Sequence, residues 1–253
     1  MLTPDALAVQ ANSFGAAAQE YERSRPPYPD SAIDWLLPTS AQNLLDLGAG
    51  TGQLSRQLAR RGLEVVAVET SAGMRAELTR VLPDVRTLAG SAEQIPLPDA
   101  SVDVVLVAQA WHWVDTDRAV PEVARVLTTG GQLGLLWNIR DEREDWVRRL
   151  GEIMHSGVDQ AMNSNSPRVG APFGAAERLD VPWSYRLSKA AVLDLVASRS
   201  YVITRPPKER EALLAEVGVL LDSHPALQGR ATVDLPYVTE CSRFQLHAAS
   251  PAR

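Results

Sequence analysis

The chain is poor in the residue types that make covalent staples and metal centres. Cys241 is its only cysteine, so no internal disulfide can form. With four histidines, no HxxxH pair and no CxxC, it offers no spaced ligand set, and no metal is expected. Cys241 itself reads as a buried packing residue ahead of a nucleophile. Long apolar runs are missing too: none approaches the roughly 20 residues of a membrane span. The opening MLTPDALAVQANSFGAAAQEYERSRPPYP is too polar for a signal peptide. No membrane partner and a cytoplasmic location are therefore expected. Excess positive charge is also absent. A formal net charge of -6 argues against a nucleic-acid partner, because phosphate contacts need a basic face. There is no internal repeat and no low-complexity tract.

What remains is an ordinary soluble composition, 45% hydrophobic and 22% charged, in 253 residues. That length suits one large domain, or one domain with an elaborated end. From residue 43 short apolar runs alternate with helical patterns. NLLDL, EVVAVE, VRTLAG, SVDVVLVAQA and QLGLLWN read as strands, and TTGG as the turn before the last of them. QLSRQLARR carries Leu54 and Leu58 on one face and stops at Gly62. SAGMRAELTRVLP is a helix capped by Ser71, and DRAVPEVARVL is a helix with Pro121 assigned to its first turn. The alternation predicts an α/β fold, a doubly wound and mostly parallel sheet with helices on both faces.

Upstream, residues 14–22 and SAIDWLL read as helices, the second capped by Asp30 and stopped by Pro38. Downstream, RDEREDWVRRLGEIM reads as a charged helix and residues 155–174 as a long loop. ERLDVPWSYRLS follows as a strand, KAAVLDLVASRS and KEREALLAEVGVLLDS as helices, and TVDLPYVTECSRFQL as a last strand. The whole is expected to be a single domain: residues 1–40 as lid helices, 41–138 as a cofactor-binding core, 139–253 as a C-terminal half with cap elements.

The chemistry concentrates in LLDLGAGTGQLSRQLARRGLEVVAVET. An apolar strand runs into Gly48-Ala49-Gly50-Thr51-Gly52, and Glu69 ends the next strand about 20 residues on. In open α/β sheets ligands bind beyond the carboxyl ends of the strands, and an acid at that spacing can accept from the 2′- and 3′-hydroxyls of a ribose. The dinucleotide pattern is G-x-G-x-x-G. Here the spacing is G-x-G-x-G, and Asp46 stands just before the loop, where its charge would repel a pyrophosphate and suit an ammonium. S-adenosylmethionine fits: a ribose, an adenine, a sulfonium, an α-amino group and no phosphate.

These residues resemble the first two motifs of class I S-adenosylmethionine-dependent methyltransferases. AGSAEQIPLPDASVDVVLVAQAWHWV is similar to the adenine loop and fourth strand of the small-molecule branch, EVARVLTTGGQLGLLWN to its next helix and strand, and YERSRPPYP to the lid helix of relatives associated with trans-aconitate methylation. The resemblance covers residues 14–138. It implies a Rossmann-like fold and S-adenosylmethionine as cofactor. Asp46, Gly48, Ala49 and Gly50 would then lie at the methionine moiety, and Glu69 at the ribose. Ser71 and Met74 would edge the ribose and adenine, Ser91 and Ala92 would meet the adenine, and Gln109 would lie near the sulfonium. Many relatives carry Asp where this chain has Ser91. Tyr21 and Arg25 are expected to fold over the methionine end, Arg25 pairing with its carboxylate.

A small-molecule acceptor is expected, methylated on a carboxylate or hydroxyl oxygen. His112 is the candidate general base, against the alternative that it packs the strand–helix turn. Trp111, Trp113 and Trp137 are candidate pocket walls. Three rivals stand beside this reading: a nicotinamide-dependent oxidoreductase, a non-catalytic S-adenosylmethionine-binding protein, and a methyltransferase acting on a macromolecule. Oligomeric state is left open.

Overall fold

The computed structural model describes residues 25–154 and 167–247; the helix expected at 14–22 and most of the loop expected at 155–174 lie outside them. Seven strands form one sheet: β1 (Asn43–Leu47), β2 (Glu64–Glu69), β3 (Arg86–Ala89), β4 (Val102–Ala108), β5 (Leu127–Arg140), β6 (Glu177–Ser188) and β7 (Thr232–Gln245). Their order is β3-β2-β1-β4-β5-β7-β6. The β2–β3, β1–β2, β1–β4 and β4–β5 pairs are parallel. The order reverses direction between β1 and β4, and this switch point is where an open parallel sheet leaves a crevice at its carboxyl edge. The doubly wound expectation is met.

By backbone proximity the chain divides into two compact units. One, the glycine-loop unit, comprises Pro27–Trp137, Ser166–Val181 and Thr239–Arg253. The other, the helical unit, comprises Met1–Pro26, Asn138–Asn165 and Pro182–Val238.

In the glycine-loop unit most apolar residues of β1, β2, β4 and β5 are buried. Leu44 of β1, Val104 and Leu106 of β4 and Leu136 of β5 form one cluster with Leu54 and Leu58 of helix α2 (Gln53–Ala59) and Leu78 of α3 (Ala72–Val81). Each such leucine contributes about 1.5–3 kcal/mol relative to an exposed one. Helix α1 (Asp30–Leu36) adds Ile33 and Leu36 to the same cluster. Three local expectations need correction. Asp30 is the first helical residue and not the cap; Pro29 holds the cap position and Asp30 pairs with Arg61 at 2.5 Å. Pro121 lies in the second turn of α4 (Thr116–Val126), because Asp115 caps the helix upstream. Pro121 is exposed there, while the helix buries Ala119, Val120 and Val123. The TTGG segment is part of β5 and not a turn ahead of it. Its turn chemistry survives as an irregularity: Val102 pairs with Leu127 and Val104 with Gln132, so the extra residues bulge, with Gly130 at φ 75°.

The helical unit contains α5 (Asp145–Met154), α6 (Lys189–Ala197), α7 (Ser200–Ile203) and α8 (Pro207–Ser223). Its core gathers Trp146, Val147 and Leu150 of α5, Leu195 and Val196 of α6, Leu213, Val217 and Leu221 of α8, and Leu235 and Tyr237 of β7. His224, after α8, ties the start of α5 through its Nε2 to Asp145 at 3.1 Å. Hydrogen bonds give the strand directions. Leu246 N–H donates to Gly131 O and Asp141 N–H to Pro236 O. An advance along β5 is thus an equal retreat along β7: the two strands are antiparallel, and Arg140 faces Tyr237. Likewise Arg243 pairs with Glu177 and Arg186 with Asp234, so β6 opposes β7 with Trp183 facing Tyr237. Trp183 and Tyr237 stack at 5.4 Å. Among the described residues no helix is long and apolar enough to cross a membrane.

The turn into α2 depends on one glycine more than its neighbours. Gly52 has φ 93°, and a Cβ there would meet Leu82 Cδ1 at 2.9 Å and Leu78 Cγ at 3.0 Å; at Gly50 a Cβ would meet nothing within 4 Å. Gly52→Ala is expected to cost about 2–4 kcal/mol, backbone strain plus overpacking, and Gly50→Ala about 1–2 kcal/mol. Urea unfolding of the two variants measures the difference.

Candidate functional site

The carboxyl ends of β1, β2 and β4 converge within the glycine-loop unit. The loop after β1 turns under β2: the N–H groups of Gly48 and Ala49 both donate to Val68 O, at 2.8 and 3.1 Å. Gly48 and Gly50 have φ of 74° and 58°, conformations that side chains disfavour. Gly48 also lies so close to the end of β4 that a Cβ would meet Ala110 Cβ at 2.9 Å. Bare backbone is therefore presented at Gly48 and Gly50.

Glu69 holds that surface in shape. One carboxylate oxygen accepts from Gly50 N–H at 2.9 Å. The other accepts from Ser71 N–H at 2.8 Å and Thr70 Oγ1 at 3.2 Å. A carboxylate has about four acceptor sites, so a ribose diol would use the remaining one and displace the rotatable Thr70 hydroxyl. Ser71 caps α3 by accepting from Met74 N–H, and Met74 is buried behind it.

Asp46 is the most unusual group. Its side chain is buried, and Oδ2 accepts from Ser55 Oγ at 2.6 Å. Oδ1 has no hydrogen-bond partner among the described residues. Burial pushes its pKa up to about 6, against hydrogen bonds from Ser55 and with a further push from Glu69. A buried carboxylate with one oxygen unpartnered among the described residues can accept from a cationic donor. A dinucleotide pyrophosphate would meet repulsion. Thr51, in the loop, also has a buried hydroxyl with no partner among the described residues.

The segment after β3 is held by hydrogen bonds. The N–H and C=O of Ser91 are both taken by Gln94. The Ser91 hydroxyl goes to Glu93; burial works against the charge of that carboxyl, but bonds from Asp115 N–H and Ser91 outweigh it and hold it below the usual range. Ala92 is buried. Glu122 of α4 accepts from Ile95 N–H, and Arg125 donates to the Ile95 and Leu97 carbonyls, fastening this segment to the helix.

Gln109 leaves β4 with φ 60° and its N–H on Leu136 O. Trp111 and Trp137 are buried, and the indole N–H of each has no partner among the described residues. His112 is also largely buried; burial lowers its pKa to about 4, and its Nδ1 lacks a partner among the described residues. Trp113 leans on His112 at 4.7 Å between ring centroids but is 37% exposed. The glycine-loop unit therefore holds Asp46, Gly48, Ala49, Gly50, Glu69, Ser71, Met74, Ser91, Ala92, Gln109, Trp111, His112 and Trp137. Arg25 belongs to the helical unit, where its Nη2 donates to Ser198 O at 3.2 Å. Tyr21 lies outside the described residues. Sequence reasoning missed Ser55, although its place in the first turn of α2, beside the end of β1, was a usable signal.

Comparison with known proteins agrees with this geometry. A family profile described as a methyltransferase domain matches residues 45–135. A protein of Mycobacterium tuberculosis named an uncharacterized methyltransferase is 54% identical over 92% of this chain and 96% of its own. A methyltransferase-like protein of Schizosaccharomyces pombe, also uncharacterized, is 33% identical over 91% of this chain and 94% of its own. Among solved structures, a protein of Anaeromyxobacter dehalogenans provisionally named a type II methyltransferase superposes with a TM-score of 0.65 at 26% identity, covering 88% of this chain and 97% of that one.

Asp46 gives the site a pH signature. Its folded pKa, about 6, stands above the ordinary aspartate value of 3.8. Its contribution to stability is therefore present below pH 3.8 and lost as pH rises through 6, amounting to about 3 kcal/mol of destabilisation in the free protein at neutral pH. Asp46→Asn is expected to raise the thermal midpoint of the free protein at pH 8 and to leave it little changed at pH 4. Paired melting curves at the two pH values measure this.

Proposed function

Because the chain belongs to the class I S-adenosylmethionine-dependent methyltransferases, we propose that it methylates an oxygen of a small-molecule acceptor, and that this oxygen is a carboxylate rather than a hydroxyl. The observation that carries the cofactor assignment to particular residues is Asp46, a buried acid with one oxygen open beside a positive-φ glycine loop. In this reading Asp46 takes the α-amino group, the loop amides border the methionine moiety, Glu69 takes the ribose, and Ser91 and Ala92 border the adenine. When bound, the cofactor supplies a methyl carbon whose bond to sulfur breaks, the electron pair returning to sulfur, as the acceptor oxygen forms the new bond to carbon. The chain has to orient the acceptor and exclude water.

His112 supports the choice of a carboxylate. With a pKa near 4 it is neutral at physiological pH, yet far too weak a base to remove a proton from an alcohol. A carboxylic acid is ionised in water and needs no base. In this role His112 packs and orients, while the open indole N–H groups of Trp111 and Trp137 can donate to acceptor oxygens.

Calorimetry with S-adenosylmethionine, S-adenosylhomocysteine and NAD tests the cofactor half. Both sulfur ligands are expected to bind and NAD is not. Affinity should fall about tenfold per unit below pH 6, as Asp46 protonates, and Asp46→Asn should remove that slope. Glu69→Gln is expected to weaken binding by about 1.5–3 kcal/mol, roughly 10- to 150-fold. Incubation of a metabolite extract with methyl-labelled cofactor tests the acceptor half. A methyl ester loses its label in mild base, whereas a base-stable product would refute carboxylate methylation.

A further inference from the structure

Arg75 stands at the end of α3 that disfavours it. It lies near the start of the helix, where the dipole opposes a cation, and the first turn carries no acid to offset it. Its half-buried side chain does not run out to solvent. It folds back past the helix start, and Nη1 donates to two backbone carbonyls, Glu69 O at 2.8 Å and Thr70 O at 2.7 Å. An Nη1 carries two hydrogens, one for each carbonyl. Both carbonyls belong to the turn that leads from β2 into α3.

That turn sets the aim of the Glu69 carboxylate. The Thr70 carbonyl and the Ser71 N–H are the two ends of one planar peptide and point opposite ways. Arg75 grips the first, and the Glu69 carboxylate accepts from the second at 2.8 Å. Holding the carbonyl therefore fixes the direction of the N–H that orients the acid. The other clamped carbonyl, Glu69 O, also accepts from Gly90 N–H at 3.5 Å, so the same guanidinium reaches the residue before Ser91 through one shared oxygen.

We propose that Arg75 is a positioning residue for ribose recognition: it locks the peptide that aims the Glu69 carboxylate, and so sets how sharply the site separates a ribose diol from a sugar lacking one hydroxyl. Arg75 itself touches neither ligand nor reacting atom. The Glu69 oxygens already accept from Gly50 and Ser71 N–H, so their remaining lone pairs have set directions. A carboxylate free to turn adapts to one hydroxyl or to water, whereas one held at a single angle rewards a ligand that presents both hydroxyls together. The assignment rests on the reading that Glu69 receives the ribose of S-adenosylmethionine.

The test is calorimetry with S-adenosylhomocysteine and its 2′-deoxy counterpart on the parent, Arg75→Met, Glu69→Gln and the double variant. The parent should prefer the ribose form by about 10-fold or more. In Arg75→Met the ribose form should bind about 3- to 30-fold more weakly while the 2′-deoxy form loses little, so the preference falls below about threefold. The losses should not multiply. The double variant is expected to fall short of the product of the two single losses by about threefold or more, because both changes act on one carboxylate. A residue that only stabilised the fold would weaken both ligands alike and leave the ratio unchanged. Arg75→Lys keeps the charge and a donor and should give an intermediate ratio; it decides the matter if Arg75→Met does not fold. A parent-like ratio in the folded variant, or losses that multiply, would overturn the proposal. Failure of the parent to bind S-adenosylhomocysteine would instead strike the cofactor reading, and this assignment with it.

Discussion

A single carboxylate joins the two halves of the crevice at the carboxyl edge of the sheet. Glu69 takes Gly50 N–H with one oxygen and Ser71 N–H with the other, so the loop after β1 and the start of α3 share one anchor. The glycines make that loop conformationally possible, but their freedom is also a liability, since nothing in a run of positive-φ residues chooses one shape. Glu69 chooses it. Gly48 can then lie against Ala110, and Asp46 below it is sealed from water. A residue proposed for ligand recognition is thus also the internal tie of the loop, which is why its neutral isostere is more informative than its truncation.

The glycine-loop unit buries one charge without full compensation. Asp46 keeps one oxygen without a partner among the described residues. There the free protein sacrifices stability, a pattern common where a ligand of the opposite sign supplies the missing interaction. His112 differs in kind: its burial lowers its pKa and leaves it neutral at physiological pH.

The alternation of apolar runs with helical stretches was readable because each run in a parallel sheet is buried on both sides and each crossover helix is amphipathic. The strand at Glu177–Ser188 was readable for another reason: its inward residues alternate with exposed ones. The misreadings came where pairing or capping outside the local stretch decides. Pro121 was assigned to a first turn because the aspartate that caps the helix six residues earlier looks like any loop acid. Arg140 was assigned to a charged helix because RDERED has helical composition, yet pairing with β7 extends the strand through it. The glycine loop, Asp46 and Glu69 were legible as types at a spacing. The orphaned oxygen of Asp46 was not, since it depends on Ser55 occupying the other one. Arg25 was placed by analogy with a lid, and its observed partner is a carbonyl in the helical unit.

Cys241 sits in the apolar cluster of the glycine-loop unit, and burial pushes its thiol up to about 12. Thiolate, not thiol, reacts with oxidants and alkylating reagents. At physiological pH the chain therefore presents no sulfur nucleophile of its own. Its behaviour should be indifferent to the redox poise of its surroundings, and a cysteine introduced at any exposed position would be the sole point of attachment for a spectroscopic label.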